Sequence, residues 1–322
     1  MSDQGSPVET RSWTVAEHRT IRLDAFARQC LPHLSRREIE NAIREELFRI
    51  NQRIGRKGDK LVAGDLLTFR GPEDWLWAAP VPQPELRVPI VYEDPAVLVV
   101  DKPAGMATHG FSARDNGTLA NFIAAQRPGL LAVGKSRWEP GLVHRLDRET
   151  SGLVLIAKTQ SAFEKLKLQF RRGEIQKKYL ALVWGSAEAE GVITYPIAHD
   201  PADSRRMRAL VDAAIGAQKR KSWKASTRFW KLHDMRGFSL LEIEMKTGVM
   251  HQIRVHLATI GYPIVGDFLY GKDRQESFAL KRHFLHACRL EFFHPADGRS
   301  VKMESQLPAE LQDLLRRLQT VR

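Results

Sequence analysis

Cysteine is nearly absent: the 322 residues contain only Cys30 and Cys288, far apart and outside any CxxC or Cys/His cluster. That excludes a disulfide scaffold, disfavours structural zinc and suits a reducing compartment. Long apolar runs are missing as well. No stretch approaches the roughly 18 uninterrupted apolar residues of a membrane span. The opening MSDQGSPVET is polar and acidic, unlike a secretory signal. Internal repeats and low-complexity tracts are lacking. A soluble, cytoplasmic protein that needs no membrane is therefore expected, with a monomer as its simplest form. What the chain does have is positive charge. Its 50 Lys+Arg against 38 Asp+Glu give a formal charge of +12. Such an excess suits a polyanionic partner, nucleic acid or an acidic membrane surface, and equally a merely basic soluble protein. A hydrophobic content of 43% is enough for one large domain or two unequal ones.

Texture divides the chain into a loose polar start (1–12), a compact Arg-rich segment (13–72), a Pro-rich linker (73–88) and a larger α/β region (89–322). In the Arg-rich segment, SRREIENAIREEL (35–47) predicts a helix. Ser35 is its cap, Glu38 sits at the capping-box position, and Ile39, Ile43 and Leu47 recur every four residues. A second helix is expected around 22–31, and short strands with turns at Gly55, Gly58 and Gly64-Asp65 follow. Arg36, Arg37, Arg44, Arg53, Arg56 and Lys57 form a candidate phosphate-contacting face, with a solvated helix face as the alternative. RLDAFA, LSRREIENAI, INQR and VAGDLLTF resemble the small RNA-binding domain first described in ribosomal protein S-four. The chain departs from that pattern at Glu45-Glu46, where the family has Gly, and at Asn51-Gln52, where it has Asn-Gly. Those departures put the intervening turn in question more than the domain.

In the larger region, AVLVV (96–100) and GLVLIA (152–157) read as buried strands by length and β-branched content. After the first, DKPAG makes a turn, and Lys102 reads there as a surface or turn residue. Before the second lies HRLDRETS, a charged loop held at one end by the sheet, where catalytic side chains tend to sit. Local reading alone favours a salt-bridge role for Asp147, flanked by Arg145 and Arg148, over a nucleophilic one. KKYLALVWG (177–185) alternates as a strand, with Tyr179 either a core aromatic or a stacking platform for a base and Lys177 among its basic residues. The segment 204–231, including Lys219 and Arg220, interleaves basic residues with Trp223, Phe229 and Trp230. That composition suits a polynucleotide groove or, for the aromatics, a strand core. HQIRVHLATIG (251–261) reads as a helix ending at Gly261. His251 and His256 are five apart with no Glu to complete an HExxH, so metal is disfavoured, and Arg254 is an internal cation available to a carboxylate.

Taken together, VYEDPAVLVVDKPAG, HRLDRETSGLVLIAK, KKYLALVWG, HQIRVHLATIGYPIVGDFLYG and FLHACRLEFFHP resemble RluA-type pseudouridine synthases, in family order over nearly all of 88–316. The resemblance implies an α+β fold: a catalytic domain on a mixed, mainly antiparallel sheet with flanking helices, preceded by a small α/β RNA-binding domain. It implies that Asp147 is the catalytic aspartate, Tyr179 the tyrosine packing on the target base and Arg254 the carboxylate's partner. Arg145, Arg148, Lys177, Lys219, Arg220 and His251 are expected to contact RNA along with the six basic residues of the first segment. The reaction is an isomerisation with no redox change, so no cofactor is expected. The implied partner is 23S ribosomal RNA or a ribosomal assembly intermediate. Transfer RNA as substrate, or a non-catalytic RNA-binding assembly factor, are the alternatives. One departure stands out: Val249-Met250 replace the family's Arg-Thr ahead of HQIR, a loss expected to weaken contacts at that loop.

Overall fold

The computed structural model describes residues 8–16, 20–32, 34, 36–72, 75, 79–110, 115–211, 221–235, 237–271, 278 and 280–320. Two compact units divide it. One comprises 1–84 with 109–128, the other 85–108 with 129–322.

In the first unit, β1 (Val8–Thr14), β2 (Ile21–Arg22), α1 (Leu23–Cys30), α2 (Arg36–Arg44), β3 (Phe48–Ile50), β4 (Arg53–Ile54), β5 (Lys60–Leu61) and β6 (Leu66–Pro72) follow in order. Leu23, Phe26 and Ala27 of α1 and Ile39, Ala42 and Ile43 of α2 lie three and four residues apart, so each helix has one apolar stripe. Both stripes join a single core with Phe48, Leu67, Phe69 and Trp75. Phe69 meets Phe48 edge-on at 5.4 Å and stacks on Trp75 at 6.1 Å between ring centroids. Trp75 thus ties the start of the Pro-rich stretch to this core. A four-stranded sheet runs β1-β6-β3-β4 and a two-stranded one pairs β2 with β5. Helix α2 stops at Arg44, three residues short of the sequence expectation, because Glu46 takes a left-handed φ of 59°. Ser35, the expected cap, lies outside the described residues. The turn at Asn51-Gln52 forms without glycine, at φ 48° and 71°. Asn51 tolerates that conformation because its amide donates to Asp65 (2.7 Å) and its side-chain carbonyl accepts the Leu66 N–H (2.8 Å). A third helix of this unit, α3 (Leu119–Gln126), is capped reciprocally by Thr118 and Asn121.

The second unit is built on a nine-stranded sheet. Its strands are β7 (Ile90–Glu93), β8 (Val97–Lys102), β9 (Ser151–Ala157), β10 (Gln176–Trp184), β11 (Glu190–Ile193), β15 (Thr227–Met235), β16 (Phe238–Met245), β17 (Leu285–Phe293) and β18 (Ser300–Glu304). The spatial order is β11-β15-β16-β10-β17-β9-β8-β7, with β18 on β17. Every pairing is antiparallel except β9 with β17, so the sheet is mixed and mainly antiparallel. A small second sheet holds β12 (Ile197–His199) between β13 (Met207–Ala209) and β14 (Ser222–Trp223). The helices are α4 (Gln160–Arg172), α5 (Gln252–Thr259) and α6 (Ala309–Thr320).

The parallel contact is short, joining Ser151 to His286 and Gly152 to Ala287. Gly152 has φ 119°, and a methyl group there would overlap the backbone carbonyl and amide of Ala287. Gly152→Ala therefore combines a forbidden φ with a backbone clash at the seam that carries the HRLDRET loop. A loss of roughly 2–4 kcal/mol in urea unfolding is expected.

Candidate active site

The HRLDRET loop is fixed from below at several points. Thr108 clamps Leu146, donating its hydroxyl to the carbonyl (2.7 Å) and accepting the N–H (3.0 Å). Lys102 has no exposed surface, and its ammonium donates to the carbonyls of Pro103 (2.9 Å), Met106 (2.7 Å) and Arg148 (3.2 Å). The sequence reads Lys102 as a surface or turn residue. Instead it is the last residue of β8, and its ammonium joins the DKPAG turn to the residue after Asp147. Burial lowers its pKa to about 7, while the negative charge of Asp147 opposes that fall. Arg282 donates to the carbonyl of Glu149 (3.1 Å), and the Thr150 hydroxyl lies 2.8 Å from His283 Nε2. His144 accepts the Leu155 N–H (2.9 Å), and burial holds its imidazole down at about 3, so it stays neutral. Lys102→Met strands three carbonyls around an apolar side chain. It is expected to cost about 2–3 kcal/mol in denaturant unfolding and to reduce activity with it.

Helix α5 supplies the facing side. Its polar residues at alternate positions are each saturated with partners. The Gln252 amide donates to Ser226 O and Thr227 Oγ1 (both 3.0 Å), and its carbonyl accepts from Thr247 Oγ1 (2.8 Å) and Val249 N–H (3.1 Å). His256 lies between Thr227 Oγ1 and Tyr195 O, both at 2.9 Å. Between them Arg254 grips Asp267 with two parallel bonds (Nε to Oδ2 2.7 Å, Nη2 to Oδ1 2.9 Å) and extends Nη1 to Asp147 Oδ2 at 3.2 Å. Asp267 is wholly buried and also accepts the N–H groups of Leu269 and Tyr270. Burial alone would raise its pKa, but the guanidinium more than offsets this and holds it below the ordinary carboxyl value. Burial likewise opposes the charge on Arg254, and the two carboxylates outweigh it, so its pKa is raised. The guanidinium is thus oriented by one carboxylate and presented to another that retains some solvent exposure.

Tyr179 is buried on β10, beside a bulge where the register with β17 skips Cys288. Burial, then the charge of Asp147, raises the phenol's pKa well above its ordinary value, so it is protonated at neutral pH. Asp147, Tyr179 and Arg254 therefore come together from three distant segments. Arg145 and Arg148 are exposed, and Arg148 reaches the carbonyl of Gly105 at 3.5 Å. His251 lies 3.9 Å from Asp147. Lys177 is buried over the ring of Phe170 at 5.4 Å, away from the open surface implied by its strand's alternation, because it shares the buried face of β10 with Tyr179. Lys219 and Arg220 lie outside the described residues. Phe229 is a core residue, whereas Trp223 and Trp230 are half-buried. Val249 and Met250 pack on an apolar cluster of Ile197, Met207, Ala225 and Val255, so the replaced Arg-Thr pair has become a hydrophobic anchor for the loop before α5.

In the first unit, Arg36, Arg37, Arg44, Arg53, Arg56 and Lys57 are all exposed. Arg44, Arg56 and Lys57, together with Glu40 and Glu46, line a concavity of about 350 Å³ between α2 and the β4–β5 turn. Arg36 and Lys57 both pair with Glu40, and Arg53 pairs with Asp59. Residues not singled out in the sequence were Asp267, Tyr270, Thr108 and His283. A lone acid inside the apolar YPIVGDFLYG was the available signal for Asp267.

Comparison with known proteins bears on this arrangement. Residues 96–259 match the family model of RNA pseudouridylate synthases. An RNA pseudouridine synthase of Chloroflexus aurantiacus is 38% identical, over 92% of this chain and 90% of that one. The ribosomal large subunit pseudouridine synthase D of Zymomonas mobilis is 31% identical, over 92% and 93%. Human RNA pseudouridylate synthase domain containing 4 shares the fold at 24% identity, with a TM-score of 0.55 over 72% of this chain and 93% of that one. The chain belongs to the RNA pseudouridylate synthase family, of RluA type, and is an isomerase that acts on uridine in RNA.

Proposed function

We propose that the protein isomerises specific uridines of large-subunit (23S) ribosomal RNA, working as a monomer in the cytoplasm, with Asp147 as the reacting carboxylate. The observation that carries the reading is Asp147 on Arg254, itself locked bidentately to a buried Asp267. The reaction breaks the N1–C1′ bond, turns the uracil and forms C5–C1′. The C5 proton is lost, N1 gains one, and nothing is oxidised. An ionised carboxylate either attacks C1′ or removes the C2′ proton. Arg254 holds Asp147 Oδ2 at 3.2 Å and so fixes the carboxylate in a half-buried site. Tyr179, a neutral phenol, packs on the base and keeps it in the cleft after the C1′–N1 bond breaks. The target must leave its stack, at a cost of a few kcal/mol that is smaller in a loop. Arg145 and Arg148 are assigned to the RNA around it, and Lys219 and Arg220 of the basic 204–231 segment are proposed as further RNA contacts.

Residues 13–72 are the proposed RNA-binding module, joined by 73–88 to the catalytic domain at 89–322. Its concave rim of Arg44, Arg56 and Lys57 supports phosphate contact. Replacing all three by Ala is expected to flatten the slope of log affinity against log salt by about 2–3, measured by filter binding, while the isolated chemical step is retained.

The large-subunit assignment draws on relatives such as the Zymomonas mobilis enzyme, whose name specifies that substrate. Purified protein is incubated separately with unmodified ribosomal and transfer RNA, and pseudouridines are mapped by chemical labelling. New sites in ribosomal RNA alone are expected. Sites in transfer RNA alone would overturn the substrate assignment, and sites in neither would favour a non-catalytic assembly factor.

A further inference from the structure

His251, the residue before α5, has φ 56°, a left-handed conformation uncommon outside glycine, and its side chain makes no capping hydrogen bond to the helix. Such an outlier persists only where its surroundings hold it. Here they do so through a polar chain. The Met207 N–H donates to Tyr270 Oη (2.8 Å), Oη lies 2.9 Å from His251 Nδ1, and Nε2 lies 3.9 Å from Asp147 Oδ2. The guanidiniums of Arg206 and Arg254 each sit 5.1 Å from the centre of the Tyr270 ring, holding it in place.

The chain sets a tautomer. Burial pushes the Tyr270 phenol up to about 12, so it keeps its proton, and its oxygen already accepts from Met207. The phenolic proton is therefore the one facing Nδ1. Burial also lowers the His251 pKa, so the ring is neutral at pH 7 and its single hydrogen belongs on Nε2, facing Asp147. A gap of 3.9 Å is too long for a direct bond, yet two hydrogen bonds of about 2.8 Å meeting at one oxygen span it. That oxygen must accept from Nε2 and donate to a carboxylate, which is what a hydroxyl does.

We propose that His251, oriented by Tyr270, reads the ribose 2′-hydroxyl of the target nucleotide, which bridges Nε2 to Asp147 and makes the site selective for a ribonucleotide. The inference rests on the assignment of Asp147 as the reacting group at C1′, because the 2′-hydroxyl is carried by the adjacent carbon. The same hydroxyl distinguishes RNA from DNA at a single position.

The probe is a stem–loop oligoribonucleotide spanning a uridine mapped as above, made with uridine or 2′-deoxyuridine at the target only. Single-turnover rates are taken for wild type, His251→Ala and Tyr270→Phe. Loss of one hydrogen bond predicts that His251→Ala slows the ribose target about tenfold or more and leaves the deoxy target unchanged. Tyr270→Phe is expected to show a smaller loss with the same dependence on the 2′-hydroxyl. If chemistry on the deoxy target is too slow to time, competition affinities for the same pairs answer the question. Equal losses on both targets, or none on either, overturn the inference. Asp147→Asn, run alongside, separates the two claims. Activity in that variant refutes the assignment of Asp147, whereas an inactive Asp147→Asn with equal His251→Ala losses refutes only the role of His251.

Discussion

Asp147→Asn abolishes isomerisation while the protein stays folded. The amide is isosteric, and its oxygen still accepts from Arg254 Nη1, whose main hold is the pair of bonds to Asp267. A stability change within about 1 kcal/mol is expected, since a half-buried side chain exchanges one acceptor for another. Chemistry responds differently, because an amide neither attacks C1′ nor takes the C2′ proton. A fall of at least about 10⁴-fold in single-turnover rate is expected, as for removal of a reacting group elsewhere. RNA affinity, set mostly by phosphate contacts remote from this carboxylate, stays near that of wild type. A variant that is inactive, folded and still able to bind RNA assigns the loss to the chemical step. Residual turnover within tenfold of wild type would falsify the assignment.

Arg254→Met should lose both activity and stability, and the two losses separate in a double variant. Removing the guanidinium leaves Asp267 wholly buried on the backbone N–H groups of Leu269 and Tyr270, its remaining donors among the described residues. Breaking a buried pair in this way costs about 3–5 kcal/mol. Arg254→Met with Asp267→Leu replaces both charges by apolar groups and should recover most of that loss in urea unfolding, yet remain inactive because Asp147 has lost its cation. The pH dependence has a definite sign. In the native protein Asp267 has a lowered pKa, so its stabilisation is present above the unfolded carboxyl value and is lost as pH falls through the folded one. In Arg254→Met burial loses its main counterweight, and that pKa is expected to rise. The variant's deficit is then largest at neutral pH and shrinks on acidification, as Asp267 protonates in the folded state. A deficit independent of pH would mean that Asp267 is not the group left stranded.

Much of this architecture was legible in the residues. Strands β8, β9 and β10 and helix α5 stand where apolar runs and spacing placed them, within a few residues. The family pattern named Asp147, Tyr179 and Arg254, and the structure brings these three together. Lys102 was misread because a lysine in a Pro-Gly turn is ordinarily solvated. Nothing local announces three carbonyls closing over its ammonium, one of them 46 residues away. The left-handed φ at Glu46, which ended α2 early, was equally hidden, since glutamate rarely takes that conformation.

The sequence by itself determined the central strands β8, β9 and β10, helix α5, the basic charge and the residue types available for chemistry, because these depend on composition or on near neighbours along the chain. Only the tertiary structure decided how a cation so distant in sequence is brought to Asp147. Local order offered Arg145 and Arg148, two and one residues away, whereas the contact is made by Arg254, 107 residues on. That choice depends on a parallel strand seam passing Gly152, on a helix pinned by Gln252 and His256, and on a buried Asp267 that aims the guanidinium. Each of these is a long-range contact whose energy exists only once the sheet has closed.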